Sequence, residues 1–155
     1  MSGAESGPPT GATVDPRLAT LIELWDRLDE DQDQPNTLGM TLLVHGHLYS
    51  GLLIPARVWA QQMGRMLQAA PGASPSISAL SGFYDQMEQS WEQAGTNDDG
   101  RLYLHLANVT IGLAADGFKT SLLVRVQAAA VSGWSVGTMG ELPNFTRLPA
   151  PPAGG

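Results

Sequence analysis

Apolar residues change their spacing several times along the chain, and each change predicts a new element. Two β-prone runs, Leu38–Val44 and His47–Ile54, are separated only by His45 and Gly46. A two-residue connection that ends in Gly is a hairpin signal, because Gly adopts positive φ without steric cost. Pro55 follows, and it ends strand pairing because it has no N–H, while its fixed φ suits the first turn of a helix. This stretch therefore predicts strand, tight turn, strand and helix in direct succession.

Three further patterns repeat at steps of three and four residues, which predicts amphipathic helices. The first helix begins with Asp15 as its N-cap and Pro16 at its first position, and the third begins with Ser76 as its N-cap. We expect the three apolar stripes to pack as core. They consist of Leu18, Leu21, Ile22, Trp25 and Leu28; of Val58, Trp59, Met63, Met66 and Leu67; and of Ile77, Leu80, Tyr84, Met87 and Trp91.

The last part of the chain is predicted to be β. Arg101–Leu113 alternates and then carries β-branched residues, and Phe118–Ala129 is predicted as one long strand after a turn at Asp116-Gly117. Val131–Leu142 is predicted as a bent closing strand, because its glycines permit a bulge or a tight corner. The fold class is therefore α+β: a small five-stranded antiparallel sheet with an N-terminal helix and a two-helix insertion between strands 2 and 3. We expect one domain over residues 15–142, a disordered tail over 1–14 and a flexible Pro/Gly-rich tail over 143–155.

Charge and composition narrow the function classes. The 155 residues carry a net charge of −7, with 8 Lys and Arg against 15 Asp and Glu. A chain this acidic repels phosphate backbones and anionic membranes, so we expect neither nucleic acid nor membrane as a partner. The chain has no cysteine, which excludes disulfides and thiolate metal ligands. It shows no signal peptide and no apolar run approaching about 20 residues, so we expect a cytoplasmic protein.

Candidate chemistry is sparse. His45 and His47 are two residues apart and His105 lies on another predicted strand, an arrangement that would allow an open zinc site in a metal-dependent enzyme. The simpler interpretation is two exposed turn histidines and one strand histidine with ordinary partners, so we predict no metal, cofactor or catalytic residue. Arg125 and Gln127 are expected on the solvated face of the sheet. The acidic run at Asp29, Asp31 and Asp33 lacks the Gly and Glu of a calcium loop, and no nucleotide or nucleophile motif is present.

Two resemblances add to this interpretation. The rhythm of the strands is similar to small Sm-like or SH3-like barrels. Its residues are Leu43, Val44, Gly46, Tyr49, Gly51, Leu53, Leu104, Leu106, Asn108, Val124, Arg125 and Val126. Over Leu18–Leu113 the chain resembles the gas vesicle accessory protein U family. That resemblance is carried by a V-x-G-x-x-x-S-G hairpin (Val44, Gly46, Ser50, Gly51) and an H-L-x-N strand (His105, Leu106, Asn108).

The family resemblance implies a non-enzymatic accessory protein that assists gas vesicle assembly or clustering through protein–protein contacts. Its implied partners are the vesicle shell, other accessory proteins and further copies of the chain, and its implied location is the cytoplasm, at the vesicles. Two alternatives remain open: a metal-dependent enzyme that uses His45, His47 and His105, and an Sm-like nucleic-acid-binding module.

Overall fold

Three helices and an antiparallel sheet form in a computed structural model, which describes residues 13–27, 36–72, 74–94, 102–112, 118–119 and 123–139. The elements in chain order are α1 (Pro16–Arg27), β1 (Leu38–Val44), β2 (His47–Leu53), α2 (Ala56–Gln68), α3 (Pro75–Ala94), β3 (Tyr103–Gly112), β4 (Phe118–Lys119), β5 (Val124–Gln127), a 3₁₀ helix (Ala128–Ala130) and β6 (Val131–Val136). Several expectations lie outside the described residues: most of both tails, Leu28, the acidic run and the turn at Asp116-Gly117.

The sheet is antiparallel and curls into a half-barrel with strand order β4–β3–β2–β1–β6. The sixth strand, β5, pairs with the same edge of β3 as β4 does, because Leu106 pairs with Leu53 of β2 on one side and with Val124 of β5 on the other. Strands β4 and β5 thus share one position, and the sheet is five strands wide. The predicted α+β class and five-stranded antiparallel sheet are confirmed.

The β1–β2 hairpin has the predicted two-residue turn. His45 and Gly46 have φ values of 49° and 79°, and positive φ at both central residues is the signature of a type I′ turn, whose twist matches that of the flanking strands. The register runs without interruption from Val44↔His47 to Leu38↔Leu53. The hairpin prediction is confirmed, including the positive φ at Gly46.

A bulge in β3 bends the sheet beside this hairpin. Ser50 and Leu52 of β2 pair with Thr110 and Ala107 of β3, so β3 contains one extra residue over this stretch. Asn108 lies within it at a φ of 52°, and Asn is among the few non-glycine residues that adopt this conformation readily. A bulge increases the local twist, which contributes to the curl of the sheet.

Helices cover both faces of the curled sheet. Helix α1 packs on the face that we call inner. There Leu18 and Ile22 join a core with residues of β1, β2, β3 and β5: Met40, Leu42, Val44, Leu53, Leu104, Leu106, Val109 and Val126. Helices α2 and α3 pack over β3 on the opposite, outer face, where Trp59 and Trp91 form a second cluster with Ile54, Ala56, Val58, Ala60 and Ala107. The expected shielding of Trp59 and Trp91 is confirmed, whereas Trp25 is only half-buried.

The predicted N-cap of α3 is wrong by two residues. The helix begins at Pro75 rather than after Ser76, and Ser74 Oγ accepts the backbone N–H of Ile77 at 3.4 Å. The reason is that Pro is favoured at the first helical position, which makes the preceding serine the cap. The Asp15 cap of α1 is confirmed, because Asp15 Oδ1 accepts the N–H of Arg17 at 2.8 Å.

The predicted long strand Phe118–Ala129 is only partly correct. Its described residues form the separate strands β4 and β5, and residues Ala128–Ala130 form a 3₁₀ helix. This helix redirects the chain from the β3 edge of the sheet to the β1 edge, where β6 pairs. Strand β6 itself ends at Val136, short of the predicted Leu142, because Gly137 adopts a φ of 119° and turns the chain across the outer face.

Candidate functional site

The three histidines lie apart in the fold. His45 is exposed in the hairpin turn and His47 is the first residue of β2, whereas His105 lies beside the other end of the hairpin, where its carbonyl accepts the N–H of Ile54 at 2.9 Å. Leu53 is six strand positions after His47, which corresponds to roughly 20 Å. Among the residues that the structure describes, no three His, Cys, Asp or Glu side chains are grouped to hold a metal ion.

His105 is a buried core histidine. It is 1% exposed, and the rings of Trp59 and Trp91 lie 5.2 and 5.4 Å from its own ring. Arg125 Nε donates a hydrogen bond to His105 Nε2 at 3.2 Å. Because a guanidinium can only donate, Nε2 must carry the lone pair, which places the proton of a neutral imidazole on Nδ1. His105 is therefore oriented by packing and by one cationic donor.

Arg125 does not lie on a solvated face, contrary to the expectation from sequence. Its guanidinium stacks 3.8 Å from the centre of the Tyr103 ring and lies 5.2 Å from that of Trp91. Such contacts are favourable because the ring face is electronegative. Gln127, two residues along the strand, is exposed as expected. Arg125 thus joins β5 to α3 and β3, and its pairing with His105 has no counterpart in a sequence motif.

The buried serines serve the fold. Ser50 Oγ accepts the backbone N–H of Met139 at 2.7 Å, which fastens the segment after β6 across the outer face. Ser81 Oγ donates to the carbonyl of Gly64 at 3.3 Å and accepts from Gln68 Nε2 at 2.9 Å, so it joins α3 to α2. Neither hydroxyl has a described histidine as its partner, and neither forms the pair that nucleophilic catalysis needs.

Exposed apolar side chains are the most distinctive surface feature. Leu80 and Phe83 are 46% and 50% exposed, and they are three residues apart, on the same side of α3. Met66 near the end of α2 is 40% exposed. The sequence predicted Leu80 and Met66 as core, and this is wrong for both, although Trp59, Trp91 and Val58 of the same stripes are buried. The helical periodicity correctly shows which residues share a face of the helix. It does not show which of those residues the sheet covers.

Asp85 and Glu88, the acidic residues of α3 whose side chains the structure describes, lie away from this apolar pair. Glu88 Oε1 accepts from Gln61 Nε2 of α2 at 2.9 Å. Asp85 Oδ1 lies 3.3 Å from where a side chain on Gly64 of α2 would begin, so glycine allows the two helices to approach here. Both carboxylates therefore face α2, on a different side of α3 from Leu80 and Phe83.

Leu80 and Phe83 thus form an exposed apolar pair on α3. A family model described as gas vesicle protein GvpU-like matches residues 18–139. The match runs from α1 to the segment after β6, and the chain belongs to this family of gas vesicle accessory proteins. Neither a curated protein nor a solved structure matches the chain. No helix in the described ranges is both long and apolar enough to cross a membrane.

Proposed function

We propose that this protein assists gas vesicle assembly or clustering through protein–protein contacts and catalyses no reaction. Its partners are the vesicle shell proteins or other accessory proteins, and it acts at the vesicles in the cytoplasm. Family membership supplies the gas vesicle context. The net charge of −7 argues against nucleic acid as a partner, and the separation of His45 and His47 from His105 argues against a shared metal site.

The exposed side chains of Leu80 and Phe83 carry the proposal of a contact surface. Two large apolar side chains one turn apart resemble the i and i+3 anchors with which helices dock onto apolar grooves. Full burial of such a side chain is worth about 1.5–3 kcal/mol, and Leu80 and Phe83 have roughly half of that left to gain because they are about half-exposed. The two side chains together can therefore form the centre of a small interface. We therefore assign α3 as the surface that contacts a vesicle protein.

The test is complementation in a host that makes gas vesicles but lacks this gene. Leu80→Gln and Phe83→Gln are combined in one variant, and Leu24→Gln provides the matched control, since Leu24 is 52% exposed on α1. We expect the α3 variant to lose the effect of the wild-type gene on vesicle number or clustering, while the control keeps it. Thermal unfolding of both purified variants should be close to wild type, because the replaced side chains are about half-exposed and none belongs to the buried clusters.

Two outcomes would refute the proposal. If deletion of the gene leaves vesicle number and clustering unchanged, the assignment to assembly or clustering is wrong. If the gene matters but the folded α3 variant complements fully, the contact surface lies elsewhere.

The barrel assignment is also proposed. Three observations support an Sm-like or SH3-like fold: the β1–β2–β3 meander, the placement of the last strand beside the first, and the 3₁₀ helix immediately before that last strand. A crystal structure in which β5 and β6 approach each other around a common axis would support it, and an open, flat sheet would exclude it.

A further inference from the structure

Strand β6 is an edge strand that is protected at its start by a bulge, where Ser132 is the extra residue between the paired Val131 and Gly133, and that is weakly protected over residues 133–136. In the described part of the chain it pairs only with β1. Its six residues, VSGWSV, include no charge and no proline, whereas natural proteins protect edges with Lys, Pro, interruptions or very short strands. The opposite edge of the same sheet includes β4, which is only two residues long.

The register shows which backbone groups of β6 point outward. Gly137 N donates to Gly39 O at 2.7 Å, and Ser135 pairs with Thr41 two residues further along the same ladder. In antiparallel pairs, hydrogen-bonded positions alternate, so Ser135 also turns its N–H and C=O toward β1. Trp134 and Val136 therefore direct theirs away from the sheet.

Val136 is the most exposed large apolar residue of the described chain, at 61%, although its cross-strand partner Met40 is fully buried. Trp134 and Val136 are on the same, inner face, because they alternate along β6 and pair with Leu42 and Met40. With respect to the described residues, this edge thus offers unused backbone hydrogen bonds together with an exposed apolar side chain.

We infer that β6 pairs with β6 of a second copy of this chain, antiparallel and related by a two-fold axis beside Ser135. A two-fold antiparallel pairing must place one residue opposite itself. With Ser135 in that place, Trp134 lies opposite Val136 of the second copy, twice. An aromatic residue opposite a β-branched residue is a favourable cross-strand pair.

The partner strand is identified by this complementarity between two copies of β6. The two Trp134–Val136 pairs supply about four main-chain hydrogen bonds and cover each Val136. Two copies that each carry a net charge of −7 meet here along a strand without charge, which avoids direct like-charge contact. Because the same edge serves both copies, association stops at two, whereas an interface between unlike edges would continue into rings or fibres.

This pairing deepens the proposed function by naming a second copy as a partner, but it is tested on purified protein, separately from vesicle phenotypes. The cysteine-free chain permits single-cysteine variants. In Ser135→Cys the two cysteines meet at a non-hydrogen-bonded pair, where Cβ atoms are about 4.5–5.5 Å apart. In the control Ser132→Cys, also exposed on β6, the same register separates them by six strand positions, roughly 20 Å.

Under mild oxidation we expect a covalent dimer from Ser135→Cys and little or none from Ser132→Cys. Light scattering of the wild type should show the mass rising toward that of a dimer with concentration. Ser135→Lys, which places two like charges at the axis, should remain folded and monomeric, and Ser132→Lys should dimerise more readily. A wild type that stays monomeric at all concentrations overturns the inference, and so does equal cross-linking of the two cysteine variants. A Ser135→Lys variant that dimerises as wild type does would also overturn it.

Discussion

Asp26 in the last turn of α1 accepts a hydrogen bond from the backbone N–H of Ala56, the first residue of α2, at 3.0 Å. The N-cap of α2 is Pro55, which supplies no side-chain cap. A carboxylate from the helix on the inner face therefore satisfies an N–H of the helix on the outer face, at the positive end of its dipole. Beside it, Trp25 Nε1 donates to Leu53 O at 3.2 Å, so α1 fastens the junction between β2 and α2.

Removal of this cap should destabilise the protein measurably. We expect Asp26→Ala to lower the free energy of unfolding by about 1 kcal/mol, the usual cost of losing a helix N-cap. Asp26→Asn, which keeps an acceptor but loses the charge, should cost less. Urea denaturation gives the comparison, with Glu23→Ala as the control because Glu23 is exposed on the same helix. Equal stability of Asp26→Ala and wild type would mean that solvent caps α2 equally well.

Substitutions in the hairpin turn should change the stability of the protein in opposite directions. Gly46→Val should cost about 1–3 kcal/mol, because a β-branched residue resists positive φ. His45→Asn should leave the stability unchanged or raise it slightly, since Asn-Gly is the preferred type I′ sequence. Gly82→Ala is a useful control: Gly82 is helical, a side chain there would meet nothing within 4 Å, and Ala should stabilise the helix by up to about 1 kcal/mol. If Gly46→Val has the same melting temperature as wild type, the turn is not essential to the register of the hairpin.

Local signals account for what the sequence predicted correctly. The His45-Gly46 turn and the Asp15-Pro16 helix start depend on residues next to one another, and both formed as expected. The long-range features were missed. The placement of Arg125, for example, depends on Trp91, which belongs to α3. A strand pattern alone could not show that this outer face would be covered there by a helix.

The exposure of Leu80 shows a second limit of prediction from sequence. A helical stripe predicts which residues share a face, but not how far along the helix a covering surface extends. Trp91, near the C-terminal end of α3, lies over His105 of β3. Leu80 and Phe83 are nearer the N-terminal end of the helix and remain half-exposed. The candidate contact surface is therefore a consequence of tertiary packing: the sequence pattern predicts Leu80 as core and does not single out Phe83.

The stability of the protein should depend on the ionisation of Asp15. The hydrogen bond from Trp134 Nε1, at 3.1 Å, and then that from the backbone of Arg17 lower the pKa of this carboxyl below its ordinary value of 3.8. A lowered pKa in the folded state means that the stabilisation is complete above the unfolded value and is lost as the pH falls through the folded value. Acidification should therefore weaken the link between α1 and β6.

The measurement is the difference in melting temperature between wild type and Asp15→Asn, followed from about pH 6 to about pH 2.5. Asn keeps the cap and an acceptor but cannot ionise, and the other carboxylates contribute equally to both proteins. We expect the advantage of wild type to be constant at the upper end of this range and to shrink below the ordinary carboxyl pKa of 3.8. A difference that stays constant over the whole range would mean that the charge of Asp15 does not contribute.

Substitutions of the histidines distinguish a structural role for these residues from metal-dependent catalysis. His45→Asn combined with His47→Gln should leave stability and vesicle phenotype as in wild type, because neither side chain is part of the core. His105→Ala should lower the free energy of unfolding by about 2–4 kcal/mol, since it leaves a cavity between two tryptophans and removes the acceptor for Arg125. Denaturation, vesicle counts and zinc analysis of the purified proteins give the three readouts. Zinc bound to wild type and lost from the folded double variant, together with loss of function, would instead favour the metal-dependent enzyme.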